Sequence, residues 1–488
     1  MTTSRRHRAD RMQRAAERVL VAAGAALAFA AALAAQPALP AGTTSSETLA
    51  PGLVHLSLAR GKAAEGARFR VVAGTFSSQH EADARLGELA AALADGPEKP
   101  AVWYSYGAYS VGVVPRSGTR AAADATLAAL QHAGLASPLE VEQTGQTLAN
   151  PDGPFRIEVL EADPARVRAE VAHADDAAFG VEPARRLAFR RGAAAAINGG
   201  FFVVDGDFRG DSAGLLVIDG RVWSEPDRHR GAIGLWDEDG RTHATVGRVT
   251  LGAVATVTPA AGGEPLPFPI SGIDRPRGDG DTILYTPEFH RTTLTAPGGV
   301  EVVVAGGAVA WIARGLGSAA IPDQGFVLSF SAKAATSLPP IAKGDRANVA
   351  TTLRSLLPDP DGAWSKVRFA ASAGPVLLAG GERVLDPAAE SISRVFCAAR
   401  HPRTAAGVRA DGTLLFVTVD GRQPEWSVGM TCDELADLLL ELGATEAVNL
   451  DGGGSTTMAA GERTLNRPSD DEGERANGDA LLLFPRGD

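Results

Sequence analysis

The chain has 488 residues, enough for two or three domains, and at 45% hydrophobic and 22% charged it has a globular composition able to bury a large core. A formal net charge of −11 disfavours non-specific binding to nucleic acid, so no nucleic-acid partner is expected. The 56 glycines and 30 prolines predict many turns and a strand-rich architecture.

The N-terminus reads as a targeting segment. Arg5, Arg6, His7, Arg8, Arg11, Arg14 and Arg18 form a basic region, and an uncharged apolar run follows over 19–35. That run is long for a signal and short for a span. Residues 1–35 are therefore predicted to be a signal peptide, with Ala32-Leu33-Ala34 as a cleavage site, or a membrane anchor. Both readings export the protein, to the periplasm, the cell wall or beyond. Residues 36–65 carry Pro37, Pro40 and a Gly-Thr-Thr-Ser-Ser run, and are expected to be a linker. The two cysteines, Cys397 and Cys432, would either pair in an oxidising compartment or stay as buried thiols.

Residues 66–145 read as a separate small unit. Arg68 to Phe76 alternates like a strand, and Ser77-Ser78 with Glu81 marks a helix start. Leu86, Leu89, Ala90 and Leu93 form the apolar stripe of that helix. Strands are predicted at 102–106 and 109–115. A second helix opens at Thr119 with Ala123, Leu127 and Leu130 on one face, and a last strand includes Val141. The order β-α-β-β-α-β is ferredoxin-like. Together with the strand-Gly-x-Phe-Ser-Ser start, it resembles the sporulation-related repeat (SPOR) family. That resemblance implies binding to peptidoglycan glycan strands through residues 66–145. Trp103, Tyr104, Tyr106 and Tyr109 are aromatics suited to stacking on sugars, or ordinary strand residues.

A break at Asn150-Pro151-Asp152-Gly153-Pro154 opens a larger domain, 150–488, predicted as α+β with a large mixed sheet. Helices are expected near 183–190, 346–357 and 433–442. A short apolar run ends in Asn198-Gly199-Gly200-Phe201-Phe202, where Asn-Gly by itself signals a tight turn. Asp205, Asp207 and Asp211 follow as an acidic loop without the closing Glu of a full Ca²⁺ motif. No spacing suggests zinc. No obligatory cofactor is expected, the metal site is unknown, and Ca²⁺ is left open. Further on, His401-Pro402-Arg403-Thr404-Ala405 leads into a strand, an Asp411-Gly412 turn and a second strand ending Val419-Asp420-Gly421-Arg422. Arginine offers a planar fork that matches phosphate or carboxylate. Finally, the strand-like 446–450 runs into Asp451-Gly452-Gly453-Gly454-Ser455-Thr456, a carboxylate at a strand end followed by flexible glycines.

These three segments, with Ile273-Asp274-Arg275-Pro276, Gly374-Pro375-Val376 and Glu474-Arg475, resemble the phosphodiester glycosidase family over roughly 155–485. The family includes the lysosomal uncovering enzyme, which removes N-acetylglucosamine from a sugar-phosphate diester. Asp274, where the family is expected to carry Asn, and Asn477-Gly478-Asp479 depart from its pattern. The resemblance implies a hydrolase of sugar-1-phosphodiesters. Asp451 would be the anomeric carboxylate or water activator, and Arg403 the phosphate ligand. His401 would be an acid or second anion contact, and Asn198 would orient a sugar hydroxyl or the phosphate. Gly199, Gly200, Gly452, Gly453, Gly454 and Ser455 would line the substrate, with Asp420 and Arg475 behind them. Taken as residues alone, Asp420 reads as a turn residue. The alternative is a noncatalytic cell-wall or exopolysaccharide-binding protein whose glycine loops only hold glycan.

Overall fold

The computed structural model describes residues 39–62, 68–105, 108–144, 153–359 and 361–487. Strands account for 44% of the residues and helices for 15%, an α+β arrangement weighted to sheet. The predicted segment 1–35 lies outside the described residues, and among those described no helix is long and apolar enough to cross a membrane.

Residues 36–65 do more than link. Thr43–Ala50 (β1) and Leu53–Arg60 (β2) form a hairpin. β2 then pairs residue for residue with Phe155–Ala162, and Leu56 and Leu58 pack with Ile157 and Val159 in one core. Leucines spaced two apart drive this pairing, since they reach water on any other path.

Next come Arg68–Phe76 (β3), Gln79–Ala92 (α1), Pro100–Ser105 (β4), Ala108–Val113 (β5), Arg120–His132 (α2) and Glu140–Thr144 (β6). They make an antiparallel sheet in the order β4-β5-β3-β6 under two helices. Ser78 and Thr119 cap the helices by accepting from the N–H groups of Glu81 and Ala122. Tyr106 lies outside the described residues. The core of this module, with Val71, Leu89, Val111 and Leu130, also takes in Val395 and Ala399 from far along the chain.

The elements that position the site are Phe155–Ala162 (β7), Val167–His173 (β8), Ala184–Arg191 (α3), Ala195–Asn198 (β9), Arg241–Thr258 (β10), Arg346–Ser355 (β11), Val376–Ala379 (β12), Arg394–Ala398 (α4), Arg403–Arg409 (β13), Leu414–Val419 (β14), Cys432–Glu441 (α5), Ala444–Asn449 (β15), Met458–Ala460 (β16) and Asp479–Pro485 (β17). An eight-stranded sheet runs β1-β2-β7-β14-β13-β15-β12 and ends on Glu382–Arg383. A five-stranded sheet runs from Arg463–Thr464 through β16-β9-β17-β8. A twelve-stranded sheet holds β10 and β11. The expected large mixed sheet is thus divided into three large sheets and a two-stranded one, where Ala476–Asn477 pairs with Glu182–Pro183. Among the described residues, pairing between strands is antiparallel except where Gly272–Ile273 meets Thr282–Tyr285.

The helix predicted at 346–357 is instead strand β11. Val349, Thr351 and Thr352 are β-branched, and β11 pairs along its whole length with β10. By contrast α5 starts where expected, at a capping box between Thr431 and Glu434. Cys397 and Cys432 are disulfide-bonded with their Cα atoms 4.8 Å apart, joining α4 to the first residue of α5. Residues 42–488 form one compact unit. The Val395 N–H donates to Asp83 of α1 at 2.7 Å, tying α4 to the module.

Candidate active site

Asp451 stands two residues beyond β15, at the point where the eight- and five-stranded sheets meet. Its N–H donates to the Gly199 carbonyl at 3.1 Å, and its own carbonyl accepts from Asn198 Nδ2 at 2.8 Å. Asn198 is fully buried, and its Oδ1 accepts from Thr404 Oγ1 at 2.8 Å and from the Thr457 N–H at 3.0 Å. Asn198 was expected to face substrate. Instead it crosslinks the three segments that carry the site, because every polar atom of its amide is spent on the protein.

The Gly199-Gly200 pair does not make a hairpin, since β9 is flanked by β16 and β17. These glycines are needed for close approach. A Cβ at Gly199 would collide with the Asp479 carboxylate, and one at Gly200 with Ser372. The Gly200 N–H donates to Asp479 Oδ1 at 2.7 Å. Asp479 is buried beside His173, its partner across the β8–β17 register. Burial holds its carboxyl above the usual range, with His173 opposing. Side-chain atoms of Asp479, Ser372, Asn477, Thr456 and Thr457 around this junction are buried without a protein hydrogen-bond partner. Buried polar groups are normally satisfied, so these atoms retain unused hydrogen-bonding capacity at the junction.

The three glycines after Asp451 have separate uses. The Gly452 N–H donates to Asp451 Oδ1 at 2.9 Å, and the Gly453 N–H to the Pro402 carbonyl at 2.9 Å. Two of the three N–H groups of these glycines, expected to line the substrate, are therefore committed to the loop. Gly453 has φ +60°, and a Cβ there would sit 2.9 Å from Arg422 Nη2. A Cβ at Gly454 would strike the Arg475–Asp470 ion pair. Arg422 and Arg475 thus lie directly against the loop. Ser455 is fully buried beside them. Burial pushes the Asp451 carboxyl up to about 6; the Ser455 hydroxyl, the Gly452 N–H and Arg475 oppose this, and the Asp479 charge adds to it.

Arg403, expected to hold the phosphate, is fully buried. Its Nε donates to the Met430 carbonyl at 2.8 Å, and its Nη2 to the carbonyls of Phe396 and Ala399 at 2.6 and 2.8 Å. It anchors the C-terminal turn of α4 to the segment before α5. His401 is also buried; its Nδ1 accepts from Arg422 Nη2 at 3.2 Å. Burial, then Arg403 and Arg422, hold its pKa well below the usual imidazole value, so the ring is neutral and cannot act as a proton donor of imidazolium type. Asp420 accepts from Trp426 Nε1 at 2.7 Å, from Asn466 Nδ2 at 3.2 Å and from the Arg467 N–H at 3.0 Å. It organises neighbouring loops, and burial pushes its carboxyl up to about 6. Asp274 takes φ +50°, a conformation Asn and Asp tolerate best, and accepts from the Thr286 N–H. Among the described residues no group of three or more His, Cys, Asp or Glu side chains is placed to hold a metal ion.

Arg422, Asp479 and Ser372 were not singled out as site residues, and Tyr104 was read as an aromatic suited to stacking on sugars or as an ordinary strand residue. The Tyr104 ring lies 5.5 Å from the His401 ring, and the Arg422 guanidinium lies 5.4 Å over it. Asp479 had a readable signal, a lone carboxylate opening the apolar run Ala480-Leu481-Leu482-Leu483.

Residues 298–484 match the family model described as phosphodiester glycosidase, which covers Asp451, Arg422, Arg475 and Asp479 but not Asn198. Over those residues the chain is similar to a phosphodiester glycosidase domain. It is similar to the SPbeta prophage-derived protein YomE of Bacillus subtilis, 44% identical over 84 residues. That stretch is 17% of this chain and 13% of that protein, so the chain spans a small part of that relative. A crystal structure of a Burkholderia pseudomallei K96243 protein described as exported matches with a TM-score of 0.63 and 28% identity, over 92% of this chain and 98% of that one. A crystal structure of a Synechocystis hypothetical protein shares the fold at a TM-score of 0.57 and 20% identity, over 92% of this chain and 82% of that one.

Proposed function

We propose that the protein is an exported hydrolase that cleaves the glycosidic bond of a sugar-1-phosphodiester, such as an N-acetylglucosamine-1-phosphodiester, in the cell envelope. The observation that carries this reading is the Asp451 carboxylate on a fixed loop that Arg422 and Arg475 press against. A phosphodiester is a weak base and leaves an anomeric carbon with little acid help. The reaction therefore asks for a cationic clamp and a carboxylate more than for a strong general acid.

In this mechanism Arg422 and Arg475 hold the phosphate oxygens, the part the sequence assigned to Arg403. Ionised Asp451 faces the anomeric carbon, where it attacks or takes a proton from water. The sugar–oxygen bond breaks, its electron pair leaves with the phosphomonoester, and water supplies the new sugar hydroxyl. Neutral His401 aims Arg422 by accepting from it. Asn198 and Asp479 act as positioning residues. Export is supported by the basic and apolar pattern of residues 1–35 and by similarity to a protein described as exported. Residues 66–145 would hold peptidoglycan glycan strands, and no obligatory cofactor is invoked.

The test is release of free sugar from an N-acetylglucosamine-1-phosphodiester by the full chain. Loss of release in Asp451→Asn supports the reading, and full activity in that variant overturns it.

A further inference from the structure

A cavity of about 420 Å³ lies between the β3–β6 module and the segments around Arg422. Its module wall carries Trp103, Tyr104, Lys99 and Arg116, and its opposite wall carries Arg422, Arg400 and Glu434. Arg422 is shared with the candidate active site, where its Nη2 meets His401. Tyr104 is shared as well, through its contacts with His401 and Arg422. The cavity therefore borders the candidate active site at Arg422 and Tyr104.

Its chemistry is specific. Trp103 and Tyr104, with Pro100 and Val102 beside them, give an apolar and aromatic wall suited to the C–H faces of a sugar ring. Arg400 is neutralised by Glu434 at 3.0 Å. Of the other lining charges, Lys99, Arg116 and Arg422 outnumber Glu98. A cationic cavity on a chain of net charge −11 selects for an anionic occupant.

We propose that this cavity is a subsite for a negatively charged saccharide, the continuation of the substrate on the phosphate side of the scissile bond. The inference rests on the sugar-1-phosphodiester reading. It adds that the natural aglycone is an acidic oligosaccharide rather than a single sugar, and that the module completes the substrate site.

The test uses the full chain carrying Asp451→Asn, titrated calorimetrically with a phosphorylated oligosaccharide of four to six sugars, with and without Lys99→Ala and Arg116→Ala. Both are exposed and outside the catalytic machinery. The proposal expects at least a tenfold loss of affinity in the double variant. Unchanged affinity, or no binding to the parent, overturns it. In parallel the protein with Asp451 intact is assayed on a methyl-aglycone diester and on an oligosaccharide-aglycone diester. The expected result is a raised KM for the long substrate alone when Lys99 and Arg116 are removed, with kcat retained. An equal effect on both substrates overturns the subsite. Absence of hydrolysis of either diester, with variant-sensitive binding intact, would instead overturn the hydrolase reading and leave the saccharide subsite standing.

Discussion

At Asp451 function and stability pull against each other. Its carboxyl is raised from 3.8 to about 6 in the folded protein. A raised acid favours the folded state while protonated, so that contribution is present below about 4 and is lost as pH rises through about 6. At pH 7 the ionised group costs at most about 3 kcal/mol. Asp451→Asn should therefore keep or raise the thermal midpoint while abolishing hydrolysis. A lowered midpoint would make the residue structural. In the proposed mechanism the ionised form does the chemistry, so kcat/KM should climb with pH through about 6, and a profile falling over that range would contradict the assignment. Glycines give a sharper contrast. Gly199→Ala drives a Cβ into Asp479 and should destabilise by several kcal/mol or prevent folding. Gly87→Ala, in α1 with nothing near the added carbon, should stabilise by about 0.5–1 kcal/mol in chemical denaturation.

Among the elements, the short helix α4 carries more than its five residues suggest. It has a disulfide to α5, carbonyls held by Arg403, an N–H held by Asp83, and Phe396 set edge-on to Phe201 at 6.3 Å. Reduction, or Cys397→Ser with Cys432→Ser, removes a 35-residue closure and should cost about 2–4 kcal/mol. Amide exchange over Arg394–Ala398 should accelerate first, since α4 has few bonds of its own; unchanged exchange there would show that the disulfide is dispensable. The elements also show what a sequence conveys. The helix α5 was legible because its capping box and apolar stripe are local signals. β11 was misread as helix because its β-branched residues are a weak local signal, and pairing with β10 is what fixes 346–355 as a strand. Residues 43–60 looked like a linker because the strand they pair with lies a hundred residues away.

For the whole molecule, the module at 68–144 is built into the structure rather than tethered to it. Val395 and Ala399 complete its core, and Tyr104 reaches His401 and Arg422. A chain beginning at residue 150 would expose this apolar surface and lose β1 and β2 from the eight-stranded sheet. It should be poorly soluble or unfold at a markedly lower temperature than the full chain; an equally stable fragment would disprove the integration. What the sequence by itself determined were features written in neighbouring residues: the strand-rich α+β class, the β-α-β-β-α-β order, the capped helices, and the glycine-flanked Asn198 and Asp451. Tertiary structure alone decided which polar side chains are sealed in the core and which border the Asp451 loop. Arg403 and Arg422 are equivalent as residues, yet one is sealed under α4 and the other lies on the glycine loop. Burial and partner choice are set by strands distant in sequence, and no local pattern encodes them.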